Sequence, residues 1–125
     1  MLSAGNRVRI KPSEYTPETS NTMAEAISEE FDIDEIAVVL GGTVTGAAFS
    51  GLPFDHLLFT GSASIATHVL SAAAKNLVPV TLELGGKSPV IVSESANMDS
   101  AAGAIMAGKM MNAGQICLAP DYVMV

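Results

Sequence analysis

The hydrophobic and polar positions of this chain follow two periods that alternate along its length. Short runs that are continuously apolar or strictly alternating predict β-strands, and longer segments with apolar residues every three or four positions predict α-helices. The predicted strands are residues 6–10, 36–40, 55–60, 79–84 and 89–93. The predicted helices are residues 17 to between 31 and 34, 43–52, 62–75 and 98–112. Strand and helix therefore alternate, which is typical of an α/β protein built from βαβ units.

The first helix has the clearest boundary signals. Thr16 is a good N-cap residue and Pro17 suits the first helical position. Met23, Ile27 and Phe31 recur at four-residue spacing, which predicts one apolar face. The pattern thus predicts a helix that packs this face against a sheet.

The sequences of the last two predicted helices indicate apolar faces that contain small residues. The segment 62–75 is expected to point Ile65, Val69 and Ala72 or Ala73 inward. The segment 98–112 is expected to carry Ala101, Ile105 and Met106 on its packing face, and the cluster of Met106, Met110 and Met111 is interpreted as core filling.

The strand sequences predict a parallel sheet. Residues 36–40 (IAVVL) are all apolar and end at two glycines, a pattern typical of a strand buried on both faces. Alternation with helices favours right-handed crossovers and a partial Rossmann-like, doubly wound sheet. Such sheets bind ligands at the carboxyl ends of their strands, so the turns after Ile10, Leu40, Thr60 and Leu84 are the places to look for chemistry.

Composition narrows the function classes. The 125 residues include 13 acidic and 6 basic side chains, for a net charge of −7, and no basic cluster that would bind nucleic acid. Hydrophobic residues make up 49% of the chain, which is too apolar for a disordered protein, and the length predicts one domain. No run is long enough to span a membrane, and the first residues lack a signal peptide's apolar core. The single cysteine excludes an internal disulfide and favours a reducing, cytoplasmic location.

Two glycine-rich motifs fail on spacing, and a third leaves two interpretations open. The glycines of residues 41–46 do not match the dinucleotide fingerprint, and residues 86–88 lack the first glycine of a P-loop. Gly61 and Ser62 lie between a predicted strand and a predicted helix, where free amides can hold a phosphate. Ser62 could equally be an ordinary N-cap.

Two side chains are candidates for catalysis. Glu83 lies between Leu82 and Leu84 in an apolar strand. Burial would penalise the charged form of its carboxylate, which suits a general base that works near neutral pH. The alternative is a carboxylate at a strand end that pairs with Lys87. Cys117 is either a small buried hydrophobe or a nucleophile, and the second requires a base and backbone amides nearby.

A charged pair marks the turn after the first strand. Lys11 and Glu14 could both hydrogen-bond a ribose, or could form a solvated ion pair. His56 and His68 have no metal-ligand spacing to another His, Cys or carboxylate, so both are interpreted as structural, and no metal site is predicted.

Taken together, the turn sequences resemble the aldehyde dehydrogenase superfamily over essentially the whole chain. The motifs are KPSEYTP at 11–17, FTGS at 59–62, LELGGKSP at 82–89 and GQIC at 114–117. The stretches 54–60 and 79–91 look most similar to fatty and aromatic aldehyde dehydrogenases, in particular those that act on coniferyl aldehyde.

The resemblance implies a role for each candidate. Cys117 matches the nucleophile that forms a thiohemiacetal and, after hydride transfer to the nicotinamide, a thioester. Glu83 matches the base that activates the hydrolytic water. The product is then a carboxylic acid.

The resemblance also implies how NAD would bind, without excluding NADP. Lys11 and Glu14 match the residues that hold the adenosine ribose, and Gly42 matches backbone beside the adenine. Four further residues match positions on the pyrophosphate and nicotinamide side. Gly61 and Ser62 match the phosphate turn, and Leu84 and Gly85 match backbone near the nicotinamide and the active site.

Two departures from the family pattern limit what is expected. Ala66 stands where the family usually has glycine in its G-S-x-x-x-G turn. The Pro-Trp-Asn segment that supplies an oxyanion donor and the Glu-x-Phe-Gly-Pro segment that holds the nicotinamide ribose are both absent. Loss of one oxyanion donor typically costs about 10²- to 10³-fold in rate, so the chain is expected to be an inactive internal fragment.

The expected organisation is a partial cofactor domain over residues 1–84, followed by the entry to a catalytic domain over residues 85–125. The helix at 62–75 matches one that family members use for dimerisation, so a homodimer or higher homo-oligomer is expected. The alternative function is a non-catalytic nucleotide-binding or self-assembling module. It predicts oligomers without catalysis.

Overall fold

The computed structural model describes residues 2–125. Within this range it contains six strands and four α-helices. The strands are β1 (Val8–Ile10), β2 (Ile36–Val38), β3 (Leu57–Gly61), β4 (Val80–Leu84), β5 (Ser88–Ile91) and β6 (Pro120–Met124). The helices are α1 (Pro17–Glu30), α2 (Thr43–Ser50), α3 (Ala63–Ala74) and α4 (Met98–Met110). A short 3₁₀ segment covers Leu2–Ala4, and Met111–Gly114 form a turn after α4 in which Asn112 and Ala113 have non-helical, left-handed backbone.

The predicted α/β class is confirmed, with parallel pairing of strands. β1 lies parallel to β2 with Val8 opposite Ile36, and β5 lies parallel to β6 with Ser88 opposite Pro120. In the described residues the hydrogen-bonded strands form three two-stranded sheets, β1 with β2, β3 with β4 and β5 with β6. The β1–β2 and β5–β6 pairs therefore have the predicted parallel character, although within residues 2–125 hydrogen bonds do not join the three pairs into one sheet.

The chain divides into two compact units. The first contains residues up to 57 together with 68–80, and the second contains residues 58–67 and 81–125. These units do not test the predicted domain boundary between residues 84 and 85, which concerns the complete cofactor and catalytic domains. Met1, the start of the first predicted domain, lies outside the described residues.

In the first unit, α1 packs against β2, and Ile36 is the most buried residue of that strand. The helix begins at Pro17, as predicted, and the Thr16 carbonyl accepts a hydrogen bond from the Ser20 amide at 3.0 Å. The expected inward position of Phe31 is wrong, because the helix ends at Glu30 and Phe31 is 46% exposed in an extended conformation. The predicted burial of residues 36–40 on both faces is also wrong, since only Ile36 is buried and Leu40 is exposed.

In α3, Val69 and Ala73 are buried as predicted, but Ile65 is exposed. Ala66 takes the inward position instead and is only 2% exposed. The alanine that replaces the family's usual glycine is thus accommodated with its methyl group buried.

In the second unit, α4 packs against β6, a strand that the sequence analysis missed. The helix is capped by Asn97, whose Oδ1 accepts a hydrogen bond from the Ser100 amide at 2.9 Å. A Cβ atom on Gly108 would lie 3.4 Å from the Pro120 ring, so the helix and strand approach closely at that point. The predicted core role of the methionines is wrong, because Met106, Met110 and Met111 are all exposed.

Candidate active site

A cleft of about 620 Å³ lies in the second unit. Its walls are the end of β3, the end of β4 with the glycine pair that follows it, and the loop that precedes β6. The lining residues are 60–61, 83–86 and 114–117. The cleft thus brings together five of the predicted site residues, namely Gly61, Glu83, Leu84, Gly85 and Cys117.

Glu83 reaches this cleft from β4, whose side chains alternate between partly buried and exposed positions. Leu82 and Leu84 are partly buried, whereas Glu83 is exposed. The expected burial of this carboxylate is therefore wrong, because the strand presents one face to solvent. The alternative partner, Lys87, instead makes an ion pair with Asp121 at 3.2 Å, a surface contact between the residue before β5 and a residue of β6.

Cys117 is the second residue of a tight turn. The Ala119 amide donates a hydrogen bond to the Ile116 carbonyl at 3.0 Å, which closes the turn around Cys117 and Leu118. The cysteine is free and exposed. Its interpretation as a buried hydrophobic residue is therefore wrong, and Cys117 lines the same cleft as Glu83.

The chain enters this turn through three consecutive residues with left-handed backbone. Asn112, Ala113 and Gly114 have φ angles of 49°, 55° and 78°. Left-handed geometry costs a residue with a Cβ atom about 1–2 kcal/mol, and asparagine and glycine are the residues that tolerate it best. A Cβ atom on Gly114 would also lie 3.3 Å from the Lys109 carbonyl oxygen. The reversal from α4 to the cysteine turn is thus sharp and locally strained at Ala113.

The glycine pair after β4 lies directly against the cysteine turn. A Cβ atom on Gly86 would come within 3.3 Å of the Cys117 carbonyl oxygen. The same oxygen accepts a long hydrogen bond of 3.4 Å from the Ser88 hydroxyl. Because Ser88 is paired with Pro120 in the β5 and β6 ladder, the C-terminal side of the turn is attached to a sheet.

Gly61 and Ser62 form the junction of β3 and α3. The Ser62 hydroxyl accepts a hydrogen bond of 3.4 Å from the Ile65 amide, as expected of an N-cap, and lies 3.0 Å from the Ser64 hydroxyl. A Cβ atom on Gly61 would lie 2.6 Å from the Phe59 ring, so a larger residue there requires the ring to move. The N-cap contact and the predicted phosphate site use neighbouring groups and are compatible.

In the first unit, Lys11 and Glu14 form an ion pair. The Lys11 Nζ atom lies 2.8 Å from Glu14 Oε2, and the Lys11 side chain is only 12% exposed. The hydrogen bond from Lys11 is the main cause that lowers the pKa of Glu14 below its ordinary value of 4.5. The interpretation as a fully solvated pair is therefore wrong for Lys11, whose Cε atom lies alongside Gly46 of α2.

Gly42, the remaining predicted cofactor residue, is the N-cap of α2 in the same unit. Nothing lies within 4 Å of the position that a Cβ atom would take on Gly42. The residue thus leaves open space at a helix N-terminus, where the first amides of a helix have no partner within the helix.

Sequence reasoning missed three polar residues around the cysteine turn, namely Ser88, Asn112 and Asp121. Asn112 had a detectable signal, since asparagine followed by a small residue and a glycine after a helix is typical of left-handed backbone. Ser88 and Asp121 depend on the pairing of β5 with β6, which no local signal reports.

Residues 2–125 contain neither a candidate membrane-spanning helix nor a candidate metal site. No helix there is long and apolar enough to cross a membrane. No group of three or more His, Cys, Asp and Glu side chains in that range could hold a metal ion.

An α/β scaffold that places an exposed thiol and a carboxylate on one cleft is typical of enzymes that form covalent intermediates on cysteine. The model of the aldehyde dehydrogenase family matches residues 1–125. The chain therefore belongs to the aldehyde dehydrogenase family, an enzyme family, and the resemblance found in the motifs is confirmed.

Individual members of the family can also be compared with this chain. The chain is 60% identical over 124 residues to a probable coniferyl aldehyde dehydrogenase of Caulobacter vibrioides and 59% identical to the coniferyl aldehyde dehydrogenase of Pseudomonas sp. strain HR199. Each match covers 99% of this chain and 26% of the relative. The chain thus spans about a quarter of the length of the curated relatives it matches.

Solved structures agree with this assignment. The substrate-bound AldH of Staphylococcus aureus superposes with a TM-score of 0.93 at 49% identity, covering 99% of this chain and 27% of that one. An aldehyde dehydrogenase of Mycobacterium tuberculosis complexed with NAD⁺ superposes with a TM-score of 0.83 at 37% identity, covering 94% of this chain and 25% of that one.

Proposed function

We propose that the complete protein containing this chain oxidises an aldehyde to a carboxylic acid with a nicotinamide cofactor. The observation that carries the proposal is the shared cleft of Cys117 and Glu83. A nucleophile and a base on one cleft are the two groups that a covalent oxidation followed by hydrolysis requires.

Cys117 is the nucleophile in this proposal. Its thiolate sulfur attacks the aldehyde carbonyl carbon to form a thiohemiacetal, and loss of a hydride from that carbon leaves a thioester on the same sulfur. The exposed position of Cys117 in a tight turn supports this role, because a substrate can approach the side chain from the open cleft. The flanking hydrogen bonds hold the backbone of the turn and leave the sulfur accessible.

Glu83 is the base in this proposal. Its carboxylate removes a proton from a water molecule, which attacks the thioester carbon and releases the acid and the free thiol. The exposure of Glu83 supports this role in a different way from the burial first expected, since the hydrolytic water must reach the carboxylate.

The second unit has groups that fit the phosphate and nicotinamide end of the cofactor. Gly61 and Ser62 lie at the N-terminus of α3, where amides and the helix dipole favour an anion. Leu84 and Gly85 line the cleft beside Glu83, and nothing lies within 4 Å of a Cβ position on Gly85. A bound nicotinamide cofactor would supply the hydride acceptor for the reaction.

The first unit has groups that fit the adenosine end. Glu14 and Lys11 offer an acceptor and a donor to ribose hydroxyls, and Gly42 offers open space for an adenine ring. A carboxylate favours the free 2′-hydroxyl of NAD over the phosphate of NADP. NAD is therefore the proposed cofactor, with NADP as the alternative, and the NAD⁺ complex of the M. tuberculosis neighbour supports it.

The proposed substrates are coniferyl aldehyde and other aromatic aldehydes. The names of the two bacterial relatives, which are about three-fifths identical to this chain, support that class. Residues 1–84 are proposed as part of the cofactor domain and residues 85–125 as the start of the catalytic domain. A cytoplasmic location remains a prediction from the single cysteine.

Self-association is proposed through α3. Ile65 and Leu70 are exposed on this helix at 51% and 44%, and apolar side chains of this size are typical of helix contacts between subunits. Light scattering of the complete protein is expected to give a dimer or a larger homo-oligomer. A monomer at all concentrations would contradict this part of the proposal.

The function is tested in a complete enzyme. The corresponding segment of the Pseudomonas coniferyl aldehyde dehydrogenase is replaced by this chain to give what we call the graft enzyme. NADH formation with coniferyl aldehyde is expected from the graft enzyme and is expected to fall at least about 10³-fold in Cys117→Ala. Full activity of a folded Cys117→Ala graft enzyme would refute the assignment of the nucleophile.

The 125-residue chain alone is expected not to turn over aldehydes, because it matches only a quarter of its relatives. Aldehyde-dependent NADH formation by the purified chain, abolished by Cys117→Ala, would contradict that expectation. If the chain forms oligomers and the graft enzyme has no activity although it folds and binds NAD, the alternative of a non-catalytic module is favoured.

A further inference from the structure

The segment that connects α4 to the nucleophile contains an asparagine that makes two hydrogen bonds to one residue, one through its side chain and one through its main chain. The Asn112 side-chain amide donates a hydrogen bond to the Gln115 carbonyl at 3.2 Å. In the opposite direction, the Gln115 amide donates to the Asn112 backbone carbonyl at 3.1 Å. Asn112 therefore fixes both polar groups of the Gln115 main chain, two residues before Cys117.

From this geometry we infer that Asn112 is a positioning residue that holds the cysteine turn in its reactive orientation, an inference that rests on the proposed role of Cys117. Asn112 does not itself line the cleft, and its hydrogen bonds go to Gln115 and not to the sulfur. It acts through Gln115, which does line the cleft together with Cys117.

The backbone explains why asparagine suits this position. Asn112 has φ 49° and ψ 37°, which is the left-handed region that asparagine adopts more readily than most residues. Ala113 follows with φ 55° and has no polar side chain to stabilise that conformation. The side-chain hydrogen bond of Asn112 is thus the contact that offsets the strain of this reversal.

The other end of the turn is held independently. The Cys117 carbonyl lies against Gly86 and accepts the Ser88 hydrogen bond, and the Ala119 amide closes the turn on Ile116. Only the N-terminal side depends on a side chain within the loop. Loss of the Asn112 amide should therefore let Gln115 move while β5 and β6 remain paired.

The consequence for catalysis is an effect on turnover and not on cofactor binding. A nucleophile displaced by about 1 Å can lose on the order of 10²-fold in rate, whereas the proposed ribose and phosphate groups lie on other segments. A residue that merely supported folding would instead lower the amount of active enzyme and leave turnover per active site unchanged.

The test uses two substitutions that preserve the left-handed backbone. Asn112→Gly removes the side-chain donor and keeps conformational freedom, and Asn112→Asp keeps the shape but places an acceptor against the Gln115 carbonyl. The matched control is Asn97→Ala, which removes the capping hydrogen bond at the opposite end of α4. All are made in the graft enzyme, with active sites counted by the NADH burst.

Both Asn112 variants are expected to lower kcat per active site by roughly tenfold or more, while the Michaelis constant for NAD changes less than about twofold. Asn97→Ala is expected to retain kcat. Hydrogen exchange of the peptide that contains residues 112–117 is expected to quicken in the Asn112 variants alone. This second readout works even where a variant's activity is too low to measure.

Equal kcat and unchanged exchange in the Asn112 variants would overturn the inference. A fall in kcat matched by Asn97→Ala would do so too, because it would indicate a general effect of α4. The proposed function fails by a different result, which is a folded Cys117→Ala graft enzyme with full activity. The two failures are therefore distinguishable.

Discussion

Two turns of the molecule hold their functional candidates by different physical means. In the turn after β1, Lys11 and Glu14 are opposite charges 2.8 Å apart, and the lysine is largely buried. In the turn before β6, Cys117 is exposed, and the turn is held by neutral hydrogen bonds from Ala119 to the Ile116 carbonyl and from Ser88 to the Cys117 carbonyl. The first turn is organised by charge and the second by backbone shape.

The difference indicates how each turn should respond to change. An ion pair responds to pH and to loss of one charge, because the remaining charge keeps its desolvation cost. A turn held by backbone contacts responds to substitutions that alter its conformation, such as those at Asn112. Chemistry that needs an accessible sulfur suits the second arrangement, whereas recognition of a ribose suits the first.

The largest effect is expected from a substitution in the cleft, compared with a matched substitution elsewhere in the second unit. Glu83→Gln in the graft enzyme is expected to lower kcat by about 10²- to 10⁴-fold, because an amide cannot accept a proton from water. Steady-state NADH formation measures the effect. The control is Glu94→Gln, which removes an exposed carboxylate from the same unit. Similar activity in both variants would eliminate Glu83 as the base.

A smaller effect is expected in the charged turn. Glu14→Gln should raise the Michaelis constant for NAD by roughly tenfold and change kcat little, because one charged hydrogen-bond acceptor for the ribose is lost. Preference for NAD over NADP should fall as well. Initial rates at varied cofactor concentration measure both, with the exposed Glu30→Gln as the control. An unchanged Michaelis constant would indicate that the pair is only structural.

The smallest expected effect is on stability in acid. The pKa of Glu14 is lowered by its hydrogen bond with Lys11, so the stabilisation is present above the ordinary value of 4.5 and is lost as the pH falls through the folded-state pKa. The difference in urea midpoint between the unmodified graft enzyme and Glu14→Gln should therefore be larger at about pH 6.5 than at about pH 3. A difference that grows in acid would contradict the assigned sign.

Local sequence signals predicted most elements of the fold. The start of α1 at Pro17 and the strand and helix order from β1 to α4 follow from hydrophobic period and cap residues. Burial was harder to predict, because it depends on which face of an element meets a neighbour. Ala66 is buried and Ile65 is exposed for this reason, and Phe31 lies beyond the last turn of its helix.

The sequence singled out two residues that line the cleft but did not predict their environment. Motif spacing pointed to Glu83 and Cys117, and the structure places both on one cleft. Their exposure could not be read from the sequence, because an apolar run looks the same whether one face or both are covered. The hydrogen bond of Ser88 to the Cys117 carbonyl needed the pairing of β5 with β6, which joins residues distant in sequence.

In the proposed reaction, a thioester forms on Cys117 and is hydrolysed with help from Glu83. The most direct measurement is peptide mass spectrometry of the Glu83→Gln graft enzyme after incubation with coniferyl aldehyde and NAD and quenching in acid. We expect the peptide containing Cys117 to gain the mass of the acyl group in place of the thiol hydrogen. NADH formation without an acyl group on that peptide, or with the acyl group on another residue, would contradict it.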